Sequence, residues 1–342
     1  MQVVKLIRFL LFPFTIIYMF VTAIRNFLYD VGLFKVTSFE KPIIAVGNLS
    51  VGGTGKTPQI EYLIRLLKGH DLGVLSRGYG RNTKGFLQAD PTKTASDIGD
   101  EPLQFYKKFT DIVVAVAEDR VHGVQQLQKS SVVLLDDAFQ HRKIKAGFYI
   151  VLTKYDELFS NDFVLPTGNL RERRIGVQRA NAVVITKCPS TISTSEQNDI
   201  KKLVRRYFKG AIFFSTIKYS EYLFGVDEER ISISQLCDYE VLLVTGIANP
   251  TPLLTHLSGI ACRYTHVSFS DHHQFSTKEL VDLQHQYDKI KSNRKIIVTT
   301  EKDYVRLENR LTNLYYLPIE TAFVERQSEF DSLVLSYVNN AL

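Results

Sequence analysis

The 342 residues suffice for about two domains, and a hydrophobic content of 45% fits a globular α/β protein with a real core. A net charge of +6 suits anionic lipid, a phosphorylated substrate or nucleic acid, but there is no basic tail and no nucleic-acid motif, so no nucleic-acid partner is expected. Cys188, Cys237 and Cys262 are scattered, which excludes a cysteine metal cluster and a disulfide framework and fits a reducing compartment.

An uncharged apolar run, Phe9 to Ile24, holds Pro13 and lies between Arg8 and Arg25. As a helix it would span about 24 Å, short of the ~30 Å hydrocarbon core of a bilayer. A second patch, Phe27 to Tyr29 and Val31 to Phe34, continues it, with Lys5, Arg8, Arg25 and Lys35 around the region. No small-residue cleavage site argues for a signal peptide. A helix lying in one face of a membrane, basic residues near anionic head groups, fits better than a spanning one. A buried core helix is the alternative.

The apolar run Ile43 to Val46 predicts a buried strand. A glycine-rich loop and then Gln59 to Leu67 at helical spacing follow it. Strand, glycine loop, Gly55-Lys56-Thr57 and helix form a phosphate cradle. Ser50, Val51, Gly52, Gly53, Thr54, Gly55, Lys56 and Thr57 are its candidate nucleotide-binding residues. Lys56 would reach the β- and γ-phosphates, and the Thr57 hydroxyl would ligate Mg²⁺. The strict motif has glycine where this chain has Ser50.

Leu72 to Ser76 predicts a second short strand, ending in the loop Arg77-Gly-Tyr-Gly-Arg81. Those arginines either hold phosphate or are solvated. Asp100 and Glu101 open a helical pattern, as plain N-terminal charges or as a base and a metal ligand. Ile112 to Val116 and Val132 to Leu135 predict further strands. The latter ends in Asp136-Asp137, as a Mg²⁺-holding strand tip does. Tyr149 to Leu152 and Ala182 to Ile185 continue the alternation, so a mostly parallel sheet with helices on both faces is expected. Between them, Arg171, Arg173 and Arg174 either meet phosphate or form a solvated face. Thr186-Lys187 resembles a guanine-reading loop but lacks its Asp, since Cys188-Pro189 follows.

Near residue 210 the pattern changes. Ala211 to Lys218 and Asn313 to Glu320 read as two strands that pair as a connector. Between them lies a smaller α/β unit with strands at Val241 to Val244 and Lys295 to Val298. Asp271-His272-His273 lacks a metal-ligand partner cluster but offers a His beside a carboxylate. Ser276 to Glu279 is a capping box. The expected division is 1–35 membrane-associated helix, 36–210 phosphate-loop domain, 211–320 second α/β domain with linker strands, and 321–342 C-terminal helix.

Gly47-Asn48 with Val51 to Pro58, Ser76 to Gly80, Gly99 to Pro102, Asp136 to His141, Gly168 to Glu172, Asp271-His272 and Thr300 to Asp303 together resemble the tetraacyldisaccharide 4′-kinase family of lipid A biosynthesis. The resemblance covers nearly the whole chain, and Ser50 is consistent with it, because that family also carries a non-glycine there. It implies two α/β/α domains, the first of phosphate-loop type, joined by a two-stranded linker, with the active site between them. It also implies transfer of the γ-phosphate of ATP, with Mg²⁺, to the 4′-hydroxyl of a tetraacyldisaccharide 1-phosphate, giving lipid IVA. The implied location is the cytoplasmic face of the inner membrane, in contact with membrane lipids. By position, Lys56 and Thr57 serve phosphate and Mg²⁺, Glu101 and Asp136 ligate metal, and Asp137 helps organise it. Asp100 becomes the base, assisted by His272 or the adjacent His273, and Arg171 stabilises the transferring phosphoryl group or holds the substrate phosphate.

Overall fold

A computed structural model describes residues 8–226, 229–260 and 262–342, so Lys5 lies outside the described residues. Among the described residues, fifteen strands form two sheets. In chain order they are β1 (Ile43–Asn48), β2 (Leu72–Ser76), β3 (Leu87–Gln88), β4 (Ile112–Val116), β5 (Val132–Asp136), β6 (Phe148–Lys154), β7 (Ala182–Thr186) and β8 (Ala211–Tyr219). They continue as β9 (Tyr222–Phe224), β10 (Arg230–Ser232), β11 (Glu240–Thr245), β12 (Arg263–Ser268), β13 (Lys295–Thr300), β14 (Leu314–Leu317) and β15 (Ile319–Phe323).

The first sheet runs β15-β8-β7-β6-β1-β5-β2-β4-β3, with β1 in its interior between β5 and β6, parallel to both. Successive side chains on a strand face opposite ways, so an unbroken β-branched run fills two cores at once. Ile44, Val46 and Leu134 face one core with Ile60, Leu63 and Ile64 of the helix Lys56–Leu66. Ile43, Ala45, Val133 and Leu135 face the other with Val124, from the helix Arg120–Gln126. The expected doubly covered α/β/α arrangement is present. The second sheet, β10-β9-β14-β13-β11-β12, repeats the pattern. Val241 and Leu243 pack with Leu253 and Leu257, and Leu242 and Val244 pack with Leu280 and Leu283.

β8 is shared by two pairings. Ala211 to Phe214 run parallel to β7, and Ser215 to Tyr219 run antiparallel to β15. The chain therefore leaves and re-enters the first sheet through one ribbon. The helix Gln327–Ala341 then returns to the first core, where Phe330, Val334 and Val338 are fully buried beside Phe213. The units also meet through the helices Asp100–Lys108 and Glu301–Leu307. Lys108 bridges Glu61 at 2.6 Å and Glu301 at 2.7 Å.

The N-terminal helix runs Phe12–Asp30, later and longer than the apolar run suggested, about 28 Å by its rise per residue. It is not a core helix. Phe9, Leu10, Phe14, Ile17, Phe20, Val21, Ile24 and Phe27 are all exposed, while the buried residues of the helix are Thr15 and Tyr29. Its amphipathicity is inverted relative to a soluble surface helix, with the polar face docked inward.

Gly47 marks a close approach: a Cβ there would lie 2.7 Å from Phe139 Cβ and 2.9 Å from its backbone nitrogen. Gly47→Ala should therefore force β1 from the loop after β5 and cost about 1–3 kcal/mol, measurable as a lowered urea midpoint.

Candidate active site

The parallel register aligns Val46 with Asp136, so the loop leaving β1 and the acidic tip of β5 emerge at the same sheet edge. Gly55, at φ +86°, is the N-cap of the helix Lys56–Leu66, and Gly52 has φ +100°. Among the described residues, the N–H groups of Gly52 to Gly55 have no partner and stay free for an anion. Ser50 bridges Leu170, and the Val51 N–H is spent on the Asn169 carbonyl at 2.8 Å. This end of the loop is thereby fastened to the 164–171 loop. Thr54 is buried, its hydroxyl accepting from Asn48 Nδ2 at 2.8 Å.

Lys56 Nζ lies 3.7 Å from Asp137 Oδ1, and Arg171 Nη2 lies 2.7 Å from the same oxygen. Arg171 also donates to Asn48 Oδ1. Asp137 thus holds two cations beside the cradle, at a backbone φ of +48°. Burial pushes its carboxyl up, but Lys56 and Arg171 outweigh that and hold it below the ordinary carboxylate range.

Asp136 faces the opposite balance. It is buried, and burial, with Asp137 and Glu101 adding repulsion against the pull of Lys56, raises its carboxyl to about 6. One oxygen accepts from Ser76 Oγ at 3.0 Å, and the other, Oδ1, is buried with no partner among the described residues. A bound divalent cation would satisfy that orphan and relieve the repulsion. With Glu101 nearby and the Thr57 hydroxyl at the helix start, the donors are hard oxygens suited to Mg²⁺. No group of three or more His, Cys, Asp or Glu among the described residues forms a complete cage.

Asp100 is the first residue of its helix, but Gly99 is the N-cap and Asp100 makes no capping bond. Its carboxylate, 2% exposed, goes to the second unit instead. His272 Nδ1 is 2.9 Å from Oδ2, and Arg306 reaches both oxygens, Nη2 at 2.7 Å. Burial raises this carboxyl, but the His272 and Arg306 hydrogen bonds win and hold it below its usual value. The Asp100 bond in turn raises the His272 imidazole, against burial and Lys302. Lys302 Nζ is 3.1 Å from His272 Nε2. An ammonium has no lone pair, so Lys302 donates, and the ring hydrogen of a neutral His272 sits on Nδ1, directed at Asp100. His273 bonds Glu279 at 3.0 Å and stacks on Phe269, so His272 is the partner of Asp100. Glu279 is also the capping-box residue of Ser276, as the sequence predicts.

The Tetraacyldisaccharide-1-P 4′-kinase family model matches residues 7–339. The chain belongs to this family. It is 49% identical to the tetraacyldisaccharide 4′-kinase of Flavobacterium johnsoniae over 99% of both chains. The Bacteroides thetaiotaomicron tetraacyldisaccharide 4′-kinase is 42% identical, over 96% of this chain and 92% of that one. A solved structure of Aquifex aeolicus LpxK, an "apo" form in complex with ATP, superposes with a TM-score of 0.78. It has 30% identity over 97% of this chain and 99% of its own.

Beside this site of a tetraacyldisaccharide 4′-kinase family member lies a polar seam that hydropathy does not reveal. Thr15 Oγ1 meets Thr167 Oγ1 at 2.7 Å, Tyr18 donates to the Arg171 carbonyl at 3.1 Å, and Asn26 donates to Glu172 at 2.8 Å. Glu172, 3% exposed, also accepts from Arg179 and Gln140. The apolar helix is thereby fixed to the loop that carries Arg171. Arg173 is exposed, whereas Arg174 packs on Phe163 and donates to Tyr207 at 3.1 Å. Of the first arginine loop, Arg81 pairs with Glu118 and Arg77 is exposed. Sequence reasoning missed Asn48, Lys302 and Arg306 as site residues, and also Arg120, which is buried and donates to the Asp136 carbonyl at 2.9 Å. Asn48 and Lys302 stood inside quoted motifs, but Arg306 had no motif at all.

His141, at the end of the acidic loop, is depressed to about 4 by burial and then by Arg120. Its folded value lies below the unfolded one, so the unfolded chain binds more protons between about pH 6.5 and 4. Stability contributed there is present above pH 6.5 and lost as pH falls through 4. Urea titrations across this window should show a shallower pH slope in His141→Gln than in the parent.

Proposed function

We propose that the chain transfers the γ-phosphate of ATP to the 4′-hydroxyl of a tetraacyldisaccharide 1-phosphate, giving lipid IVA for lipid A biosynthesis. One observation carries this reading. A glycine cradle ending in Lys56 converges with the acidic tip Asp136-Asp137, next to a helix whose first residue, Asp100, is bonded to His272. The family membership and the ATP complex of the Aquifex aeolicus relative support the acceptor and the donor.

In this reading the free N–H groups of the cradle and Lys56 hold the β- and γ-phosphates. Arg171 neutralises charge that develops on the transferring phosphoryl group. The Asp100–His272 pair receives the hydroxyl proton. Both Asp100 oxygens are engaged, so the acceptor atom is His272 Nε2 once the hydroxyl displaces Lys302, and Asp100 then stabilises the imidazolium. Thr57, Asp136 and Glu101 would hold Mg²⁺, which supplies charge neutralisation at the phosphates when bound. The working organisation is a membrane-associated segment at 1–35 that carries the helix Phe12–Asp30, a kinase domain at 36–210, a second domain with its linker at 211–320, and a C-terminal segment at 321–342 in which the helix Gln327–Ala341 follows the end of β15.

The outward apolar face of the Phe12–Asp30 helix supports docking at the cytoplasmic face of the inner membrane, where the acyl chains of the acceptor stay in lipid. The helix passes the length and hydropathy test for crossing a membrane, but its inner face is committed to the globule. It therefore lies in the interface plane.

The direct test incubates the purified protein with Mg-ATP and the tetraacyldisaccharide 1-phosphate in mixed micelles. A second phosphate on the product is expected, and its absence would refute the reading. Lys56→Ala should abolish that product. Replacing Phe14, Ile17, Phe20 and Val21 together with serine should leave the fold intact. It should reduce sedimentation with anionic vesicles and lower turnover of the micellar acceptor about tenfold or more. Full turnover by that variant would exclude membrane capture of the acceptor.

A further inference from the structure

We propose that Arg306 is the positioning residue that assembles the proton-accepting pair, tying the Asp100 carboxylate of the first unit to the His272 loop of the second with one guanidinium. The inference rests on the Asp100–His272 reading above and goes beyond it. All three guanidinium nitrogens are used. Nε and Nη2 bond the two Asp100 oxygens, and Nη1 donates to the carbonyls of His272, at 2.6 Å, and His273. The Arg306 side chain is 10% exposed and that of Asp100 2%, so water does not compete for these bonds.

The division of labour follows from shape. A planar fork can serve a carboxylate bidentately and still have a nitrogen to spare, whereas an ammonium is a point charge. His272 sits at φ +58°, a left-handed conformation that a non-glycine residue adopts only when its surroundings enforce it. Its own carbonyl and the next one are the two that Arg306 holds. Removing the guanidinium frees that loop and leaves the Asp100 carboxylate buried with only His272 as partner. The remaining charges around the pair are Glu101 on the Asp100 helix, Asp271 on the loop, and Lys302 and Asp303 on the Arg306 helix. Lys302 is committed to Asp271 at 2.6 Å and to His272 Nε2, and Asp303 to the Gly246 N–H at 2.8 Å. Among the described residues, no other cation stands in for Arg306.

Arg306 touches neither the cradle nor Asp137, so its loss should be felt in turnover rather than in nucleotide binding. Misplacing a proton acceptor by about 1 Å costs on the order of 10²-fold in rate. The experiment compares full-length parent, Arg306→Gln, Arg306→Lys, Asp100→Asn and the Asp100→Asn/Arg306→Gln double variant, with the micellar acceptor. Arg306→Gln should lower kcat about 10²-fold, with KM for ATP and for acceptor within about threefold of the parent. Arg306→Lys should recover only a small part of this. In the double variant Arg306→Gln should add little to Asp100→Asn, because it acts through that carboxylate. Should Arg306→Gln fail to fold, Arg306→Ala assayed with and without added guanidinium ion takes its place, and rescue of kcat by the ion is the expected result.

Activity of Arg306→Gln within threefold of the parent, fully additive losses in the double variant, or no rescue of a folded Arg306→Ala would each overturn the inference. Asp100→Asn tells the two failures apart. An inactive Asp100→Asn beside an active Arg306→Gln removes only the role of Arg306. A fully active Asp100→Asn removes the proton-acceptor reading itself.

Discussion

The parallel pairing of β1 with β5 is the constraint on which the rest depends. Aligning Val46 with Asp136 leaves the cradle and the metal-type carboxylate no choice but to emerge side by side. The pairing is held from both faces, because Ile43 to Val46 and Val132 to Leu135 send alternate side chains into two separate cores. It also demands a bare backbone at Gly47, against which Phe139 of the acidic loop is packed. Lys56, Asp137 and Arg171 then meet without any long lever arm. Charge in the site is balanced by neighbours, and Asp136 keeps a buried carboxylate oxygen that has no partner among the described residues.

A second dependence runs between the two sheets. The Asp100–Lys108 helix and the Glu301–Leu307 helix with its cap carry complementary charge along their contact, in the pairs Asp100 with Arg306, Lys107 with Glu308 and Lys108 with Glu301. Glu301 is raised to about 7 by burial and by Glu61, so this contact contains a carboxylate that is costly to ionise. An interface built this way specifies register closely while adding little net stability, since buried charges give up their hydration to make these bonds. Hydrophobic adhesion would hold the two units more firmly and align them less well.

Much of this was legible in the residues. Period, glycines and the Lys56-Thr57 pair suffice for the cradle, because its chemistry is local in sequence. The acidic tip of β5 is likewise local, and only its distance from Lys56 needed coordinates. Asp100 and Glu101 read equally well as helix-start charges. The helix does start there, but nothing nearby in sequence says that Asp100 reaches a loop 172 residues on. Arg306 lies on a short helix, between Val305 and Leu307, and its partner is 206 residues away. The C-terminal helix was visible from its spacing, yet amphipathicity does not say which sheet it covers. Hydropathy found the apolar side of the N-terminal helix and was blind to the opposite side. Thr15, Tyr18 and Asn26 are unremarkable until they meet Thr167, Arg171 and Glu172.

That opposite side has a consequence for how the catalyst meets its partner. A greasy rod bolted through hydroxyls and an amide to the loop beside the cradle fixes the height and tilt of the reacting groups above any lipid plane in which it rests. On the proposed docking, encounter would become a search in two dimensions, governed by how many acceptor molecules occupy each unit of area rather than by their bulk concentration. Dilution with inert lipid would slow such a catalyst even when nothing in its pocket has changed.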